Sequence, residues 1–471
     1  MSQPLIIPQR AQSTKTTKVR RSTTTIGFVN LGCSKNQVDS EIMLGSLMTE
    51  GFQLTSDPQQ AEVVIVNTCG FIEEAKEESI NTILEHGHLK KSGTCRVLIA
   101  AGCLAQRYQG DLLKELPELD AVVGTGEFGK IAEICRDLLA PKKRHRRLWI
   151  SQPPYLYDEL APRLRLGKHH SAYVKIAEGC NRNCTFCAIP LMRGGHVSRP
   201  MEELVLEAKS LAKQGTKELL LIAQDSTYYG LDIYKKRNLA ELLQRLSDVN
   251  GIEWIRLHYA FPAGFPMDIL DVMAERSNIC NYLDIPLQHA SSRMLQSMRR
   301  GITRDKTEEL LERIRTKVPG IAIRTTMIAG HPGESEQDFQ ELLDFVERSR
   351  FDRLGVFTYS HEDNTHSFTM KDDVPDEVKQ ERMEAVMELQ QSISLDLNKQ
   401  KIGQTFKVMV DRKEGGNFIG RTESDSPEVD NEVIIETSDY LRIGDFVNVT
   451  IQSASEFDLT GAAMKDTHIK S

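Results

Sequence analysis

Three cysteines in a C-x3-C-x2-C spacing, Cys180, Cys184 and Cys187, stand within the run Glu178-Gly-Cys-Asn-Arg-Asn-Cys-Thr-Phe-Cys-Ala-Ile-Pro190. Thiols so close in sequence share one tight loop, and the chemistry open to them is metal ligation. A structural zinc would use four protein ligands in a closed tetrahedron. No fourth cysteine is near, and His196 is the only local candidate. A 4Fe-4S cluster can be held by three thiolates with one iron left open, so three thiolates meet its need; a zinc loop is the alternative. A second set is dispersed: Cys33 follows Asn30-Leu31-Gly32, Cys69 follows Asn67-Thr68, and Cys103 follows Ala101-Gly102. Each stands just past an apolar run, so a fold that aligns those runs brings the three thiols to one edge and makes a second cluster site. Isolated buried thiols, packed as small hydrophobes, are the bland alternative. Cys95, Cys135 and Cys280 are read as structural, Cys135 because it shares helical spacing with Ile131, Ile134 and Leu138.

The elements that must position these residues are legible from periodicity. Apolar runs at 26–31, 63–66, 97–101 and 121–123 alternate with helical stretches at 38–50, 73–86, 106–115 and 131–139. Such alternation predicts an α/β unit with a doubly wound parallel sheet, and Cys33, Cys69 and Cys103 fall at its carboxyl edge, where open sheets place ligands. Residues 141–166, beginning with the basic run Pro141-Lys-Lys-Arg-His-Arg-Arg147, lack periodicity and read as a linker. Strands then recur at 172–177, 218–223, 254–259, 282–286, 321–328 and 354–358, with helices between them. Six βα units predict a partial (β/α)6 barrel, since closure normally needs eight. The Cys180 triad follows the first of these strands directly. An amphipathic stretch, 376–399, leads to short strands at 405–410, 432–435 and 446–451 separated by turn residues, which predict a small C-terminal β-barrel or sandwich. The expected domains are therefore a tail at 1–24, the sheet domain at 25–140, the linker at 141–166, the barrel at 167–400 and the β module at 401–471.

Composition sets outer limits. A chain of 471 residues suits about three domains, and no apolar run approaches the roughly 18 residues that cross a bilayer. No membrane partner is expected. The formal charge of −8 gives no global basic field for phosphate binding. Nine cysteines, an odd number without a secretory apolar region, favour reduced thiols and a cytoplasmic setting. The first 25 residues carry Arg10, Lys15, Lys18, Arg20 and Arg21 and no acid, which reads as a disordered basic tail rather than a transit peptide.

The triad with an aromatic residue before its third cysteine resembles the radical S-adenosylmethionine (SAM) superfamily signature. That resemblance implies a partial (β/α)6 barrel, a 4Fe-4S cluster on Cys180, Cys184 and Cys187, and reductive cleavage of SAM to a 5′-deoxyadenosyl radical. Gln224-Asp225-Ser226 and Gly330-His-Pro-Gly-Glu334 are similar to SAM-contacting loops, and their other reading is ordinary turn chemistry. Gln224, Asp225, Ser226, Gln288, Gly330 and Glu334 are thus the implied cofactor-binding residues. The whole arrangement over residues 25–467 resembles the methylthiotransferase family, which implies a second, auxiliary 4Fe-4S cluster on Cys33, Cys69 and Cys103 and a TRAM-like β module.

Two branches of that family differ in target, an adenosine of tRNA or an aspartate of small-subunit ribosomal protein S twelve. Leu31-Gly-Cys-Ser-Lys-Asn-Gln-Val-Asp-Ser-Glu41, Gln224-Asp225-Ser226, Tyr282-Leu-Asp-Ile-Pro-Leu-Gln-His-Ala290 and Phe357-Thr-Tyr-Ser-His-Glu362 are similar to the ribosomal-protein branch. Ser34 and His331 depart from its usual proline and phenylalanine. The resemblance implies methylthio transfer to the aspartate β-carbon, with SAM serving as methyl donor and as radical source. The expected partners are ribosomal protein S twelve or the small subunit, and an electron donor. A tRNA enzyme and a noncatalytic iron–sulfur ribosome-binding protein are the alternatives. Charge bears on this choice: residues 402–471 hold 7 Lys and Arg against 13 Asp and Glu, a net of −6. An acidic module suits a basic protein better than tRNA. His289, His258 and Asp225 are possible acids or bases, set against ordinary loop roles, and no catalytic residue is assigned.

Overall fold

Val63-Val-Ile-Val66 is apolar at every position, as a strand covered on both faces requires, and it forms the middle of a parallel six-stranded sheet. The computed structural model describes residues 24–464 apart from 142–143, 154–155 and 158–160. The basic tail expected at 1–24 lies outside the described residues except for Thr24, and so does part of the basic run after Pro141. Strands β1 (Thr25–Asn30), β2 (Gln53–Thr55), β3 (Val63–Thr68), β4 (Val97–Gly102), β5 (Ala121–Val123) and β6 (Leu148–Trp149) are ordered β2-β1-β3-β4-β5-β6. Alternate residues feed two cores. Val63, Ile65 and Ile99 pack toward the helices Ser34–Thr49 and Ile131–Leu139, whereas Val64, Val66 and Leu98 face Ile83, Leu104 and Leu112.

Two local expectations change. The stretch read as linker contributes β6, which pairs with β5 through Val122 and Val123. Residues 106–115 form two short helices, Cys103–Tyr108 and Gly110–Glu115, because Gln109 between them has φ 47 and interrupts the α geometry.

The central unit contains β7 (Ser171–Lys175), β8 (Ala177–Glu178), β9 (Val197–Ser198), β10 (Glu218–Ile222), β11 (Trp254–Leu257), β12 (Ile279–Asp284), β13 (Ala322–Ala329) and β14 (Arg353–Thr358). Six of these form one parallel sheet ordered β14-β13-β12-β11-β10-β7, a partial barrel in strict chain order, and β8 pairs with β9 beside the Cys180 loop. Its helices and strands share the largest core, and the helix Asp376–Lys399 runs against β14.

The C-terminal strands β15 (Thr405–Glu414), β16 (Asn417–Arg421), β17 (Val433–Glu436), β18 (Phe446–Ala454) and β19 (Leu459–Ala463) close into a barrel. Periodicity reveals three of the five. The two it hides, β16 and β19, carry glycines where strands approach closely: a Cβ on Gly420 would lie 2.4 Å from Met409 O, and one on Gly461 2.5 Å from Thr450 O. Small residues at such contacts remove the apolar pattern that marks a strand.

This module seals the amino-terminal end of the central sheet through buried charge. Arg421 of β16 reaches Glu218, the first residue of β10, donates to Asp411 Oδ2 at 2.7 Å and reaches Ser171 Oγ at 3.1 Å. Asp411 also takes His170 Nε2 at 2.8 Å and Lys168 Nζ at 2.9 Å. Arg353 pairs with Asp425, and Arg324 with Asp430 at 3.2 Å. Part of the module's acidity, Asp411, Asp425 and Asp430, is thus spent on cations that seat it against the central unit, while Glu436 and Asp439 remain exposed.

Burial alone would raise the Glu218 pKa, but Arg421 and Arg256 outweigh it and hold the carboxyl at about 2 against an ordinary 4.5. A depressed carboxyl contributes stability that is present above its unfolded pKa and is lost as pH falls through the folded value. Urea midpoints measured in a pH series are therefore expected to fall steadily from about pH 4.5 toward 2. Glu218→Gln is expected to flatten that slope and to lower stability near neutrality by about 3–5 kcal/mol, because it leaves Arg421 and Arg256 buried with a partner missing.

Candidate active site between the two parallel sheets

Cys33, Cys69 and Cys103 leave β1, β3 and β4 at the same edge, and one side chain organises all three loops. Asn36, in the first turn of the helix Ser34–Thr49, donates through Nδ2 to Leu31 O at 2.9 Å and Thr68 O at 3.0 Å. Its Oδ1 accepts from Cys103 Sγ at 3.6 Å and from Arg193 Nη2. Asn67 donates to Asn36 O at 3.0 Å and Ser40 Oγ at 2.8 Å, and Ser79 Oγ bridges the backbone N–H and carbonyl of Cys69. Gly32 has φ +86, and a Cβ there would lie 2.9 Å from Cys69 Cβ, so only glycine lets the two loops meet. Burial pushes the Cys69 thiol up to about 12, with Cys103 and Cys33 adding to the shift. Burial likewise raises Cys103 to about 11 against the pull of Arg193.

Arg193 is where this edge meets the central unit. The residue ends the short helix Ile189–Arg193 that follows the second triad, and its guanidinium is buried. Nε donates to Cys103 Sγ at 3.2 Å; Nη1 donates to Asp39 Oδ2 at 2.6 Å and Glu178 Oε2 at 3.2 Å. Lys175, the last residue of β7, pairs with the same Asp39 and reaches Glu178 Oε2 at 2.6 Å. Glu178 Oε1 takes the Gln224 amide. Lys175 and Arg193 overcome the desolvation of Glu178 and bring its carboxyl down to about 2. None of Asn36, Asp39, Lys175 and Arg193 was singled out from sequence. The available signal was the placement of Asn36 and Asp39, three residues apart on a helix face that packs into the protein.

The second triad lies at the carboxyl end of β7. The Cys180 N–H donates to Gly194 O at 3.0 Å, and the Arg182 N–H donates to Cys180 Sγ at 3.4 Å. Arg300 Nη1 donates to Cys184 Sγ at 3.2 Å, and Phe261 lies between the guanidinium groups of Arg182 and Arg300, 3.9 and 4.2 Å from its centroid. Thr185 ties the loop to Met298 and Ser367, while Phe186 packs on Met298, Ile328 and Tyr359. His196, the local zinc candidate, turns Nε2 to Ser198 Oγ at 3.1 Å. Among the described residues no three His, Cys, Asp or Glu side chains are grouped as a single-ion site. Burial pushes the Cys180 and Cys187 thiols up to about 11 and 12, each neighboured by Cys184.

The loop residues divide by what their side chains already do. Asp225 Oδ1 takes Thr227 N at 3.0 Å and its Oδ2 takes Arg182 Nε at 2.7 Å. Ser226 Oγ donates to His258 O at 2.6 Å. Glu334 accepts from Gly330 N and from Arg382 Nη1, both at 2.9 Å. These three shape their turns. Gln224 Oε1 is buried without a partner, and Gln288 is held at φ 76 with its backbone bonded to Thr326 O and Ile328 N at 2.8 Å each. Gly330 has φ +80, and a Cβ there would meet Lys379 Cγ at 2.2 Å. His289 Nδ1 accepts from Ala290 N and Ser291 N, which puts its proton on Nε2, 3.4 Å from Glu334. His258 bridges to the β module through Ser426 Oγ at 3.2 Å. His331, brought down to about 4 by burial, is neutral and stacks edge-on to Tyr359 beneath the Cys184 loop.

The donor set fits sulfur-ligated clusters. Thiols raised this far stay protonated on their own, and metal ligation deprotonates them outright. Arg193, Arg300 and the Arg182 amide direct N–H groups at the sulfurs, the kind of outer contact that tunes a thiolate cluster. Gln224 Oε1, Arg182 Nη2 and Arg300 Nε are buried without hydrogen-bond partners beside the second triad, where a polar cofactor would meet them.

Comparison with known proteins adds independent findings. Residues 25–124 match the model described as Uncharacterized protein family UPF0004, residues 174–346 that of the Radical SAM superfamily, and residues 402–464 that of the TRAM domain. The chain is 57% identical over 445 residues to "Ribosomal protein uS12 methylthiotransferase RimO" of Cytophaga hutchinsonii, covering 94% of this chain and 98% of the relative. It is 53% identical to the protein of that name from Flavobacterium johnsoniae, over 93% and 97% of the two chains. The identity is 47% to that of Desulforamulus reducens, over 93% and 98%. Among solved structures, the radical S-adenosylmethionine methyltransferase TsrM of Kitasatospora setae, with tryptophan and a SAM analogue bound, shares the fold. Its TM-score is 0.54 at 14% identity, over 84% of this chain and 79% of that one.

Replacing Arg193 by Met strips Asp39 and Glu178 of a buried cation, removes the donor to Cys103 Sγ and leaves Asn36 Oδ1 with the Cys103 thiol alone. Chemical denaturation of the metal-free protein is expected to show a loss of about 3–5 kcal/mol. Arg245→Ala, which removes an exposed helix pair with Glu241, is expected to change stability by no more than about 1 kcal/mol.

Proposed function

The chain belongs to the RimO family of ribosomal protein uS12 methylthiotransferases, and from that premise we propose that it adds a methylthio group to the β-carbon of an aspartate in uS12, using two 4Fe-4S clusters and SAM. Cys180, Cys184 and Cys187 would hold the SAM cluster, and Cys33, Cys69 and Cys103 the auxiliary one. The observation that carries this reading is Arg193, whose guanidinium touches Cys103 Sγ on one side and Glu178, two residues before Cys180, on the other.

When bound, the clusters and SAM supply the electron, the radical and the sulfur that functionalising an unactivated carbon requires. The chain's own residues do the positioning. Glu178, fixed by Lys175 and Arg193, orients Gln224 so that its free Oε1 faces the cofactor side. Arg300 and Arg182 direct N–H groups at Cys184 and Cys180. Gln288 and Gly330 bring backbone and amide groups to the same mouth, whereas Asp225, Ser226 and Glu334 act by holding the loops that carry them. We place the functional units at 25–140, 167–400 and 401–471. We also assign the protein to the cytoplasm, with an external electron donor and neither tRNA nor membrane as partner. No helix among the described residues is long and apolar enough to cross a membrane.

Two triple variants test the assignment. Reconstituted wild type is expected to hold about eight irons, and Cys→Ala at 33, 69 and 103, or at 180, 184 and 187, about four each. The first variant keeps SAM cleavage and loses methylthio transfer, and the second loses both. In cells lacking the gene, the intact mass of uS12 is expected to fall by the methylthio increment and to recover only with the wild-type chain. An increment that persists in the deletion strain overturns the reading.

A further inference from the structure

Lys35 occupies the first turn of the helix Ser34–Thr49, two residues after Cys33, and is 7% exposed. Other buried lysines sit against carboxylates: Lys76 with Glu73 and Glu362, Lys175 with Asp39 and Glu178, Lys379 with Asp372 and Asp376. Lys35 does not. Among the described residues no carboxylate oxygen lies within the 4.0 Å of an ion pair, and its ammonium has no hydrogen-bond acceptor. What it has is a ring: Nζ stands 2.9 Å from the centroid of Tyr259.

Tyr259 follows β11 at the mouth of the partial barrel and is itself held in an unusual backbone state. Its φ is 59, and its neighbours lock it there, with its N–H donated to Asp284 Oδ2 at 3.2 Å and its carbonyl taking Ser226 N at 3.0 Å. A non-glycine residue kept in the left-handed region marks a position where the ring's placement matters more than local comfort. Aromatic faces attract cations but supply only part of what a carboxylate gives an ammonium, and the stem of Lys35 is covered while its Nζ keeps a path to solvent by which an anion can reach it. An incoming anion would complete the arrangement.

We propose that Lys35 binds the side-chain carboxylate of the target aspartate. This rests on the reading of uS12 as substrate and adds the group that recognises its acid. The ammonium stands two residues past Cys33 and on Tyr259 at the barrel mouth, so a carboxylate bound to it would hold the adjacent β-carbon where the sheet domain meets that mouth. The other anion within the site, a thiolate cluster on the first triad, already has Arg193 as its cation through Cys103 Sγ at 3.2 Å, and among the described residues Lys35 makes no hydrogen bond to any of the three sulfurs.

Binding of uS12 and of its target Asp→Asn form to reconstituted enzyme, wild type against Lys35→Met and Lys35→Arg, tests the assignment as a double-mutant cycle. Wild type is expected to prefer the aspartate form by roughly 10- to 100-fold, the range of a charge-assisted contact. Lys35→Met is expected to bind both forms alike while keeping wild-type iron content and SAM cleavage, and Lys35→Arg to retain part of the preference. If Lys35→Met still prefers the aspartate form by the wild-type ratio, or loses the iron of the first triad, Lys35 does not serve the substrate. A wild type that binds the two forms equally and leaves the aspartate form unmodified overturns the parent reading as well.

Discussion

The buried ion network of Asp39, Lys175, Glu178 and Arg193 is the constraint on which the rest of the site depends. The two cysteine sets stand on different sheets, and apolar contact between those sheets fixes how closely they approach but not their register, because hydrophobic burial has no direction. Four charges with shared hydrogen bonds do have direction. Arg193 satisfies Asp39 and Glu178 only if the helix Ser34–Thr49 and the loop after β7 sit at one offset, and the same guanidinium then reaches Cys103. A buried pair of this kind adds little net stability over an apolar replacement, while losing one member is costly, so its best-attested use is to specify one arrangement. Here the specified quantity is the separation of the two sets of cysteine loops.

A second network repeats that logic farther along the same edge. Arg107 of the sheet domain pairs with Glu362 and Asp363 beyond β14, and Lys76 joins through Glu362 at 3.1 Å. The sheet domain is therefore pinned to both margins of the central sheet, near β7 by Asp39 and near β14 by Arg107. At the opposite end, Arg421 and Asp411 seat the β module against Glu218 and His170. Two acids of the module, Asp425 and Asp430, complement arginines that begin or line the barrel strands, so part of its negative charge serves docking within the chain.

How far the site was legible follows from the range of the contacts that build it. The Cys180 triad is local, so spacing alone marks it. The dispersed set is marked because Cys33, Cys69 and Cys103 each follow a strand of one parallel sheet, and parallel strands in a doubly wound order share an edge. Asn36, Lys175 and Arg193 escaped because their roles exist only after two sheets dock, and nothing in their immediate neighbours distinguishes them from exposed polar residues. Asp225, Ser226 and Glu334 illustrate the converse. Their loops were conspicuous, yet their side chains are occupied within the protein, whereas Gln224, next to Asp225, is left with a free buried acceptor. Strands β16 and β19 were hidden for a geometric reason, since a five-stranded barrel is tight enough to demand glycine where apolar residues would otherwise announce a strand.

Charge balance along the barrel axis separates the closed end from the reactive one. At the closed end the buried cations Arg256, Arg421 and Arg353 each face a carboxylate. At the mouth, Lys175, Arg182 and Arg193 are also paired, but Arg300 and Lys35 are buried with no carboxylate among the described residues, one donating to a cysteine sulfur and the other lying on an aromatic ring. Arg300 is satisfied in part by Cys184 Sγ and the Pro286 carbonyl, and Lys35 keeps its Nζ in reach of solvent, so each retains capacity for an anion. The surplus makes sense as a field prepared for anions that arrive later. Thiolate clusters, the SAM carboxylate and an acidic side chain of the substrate are all anionic, and the mouth between the two triads is where the proposed chemistry would gather them.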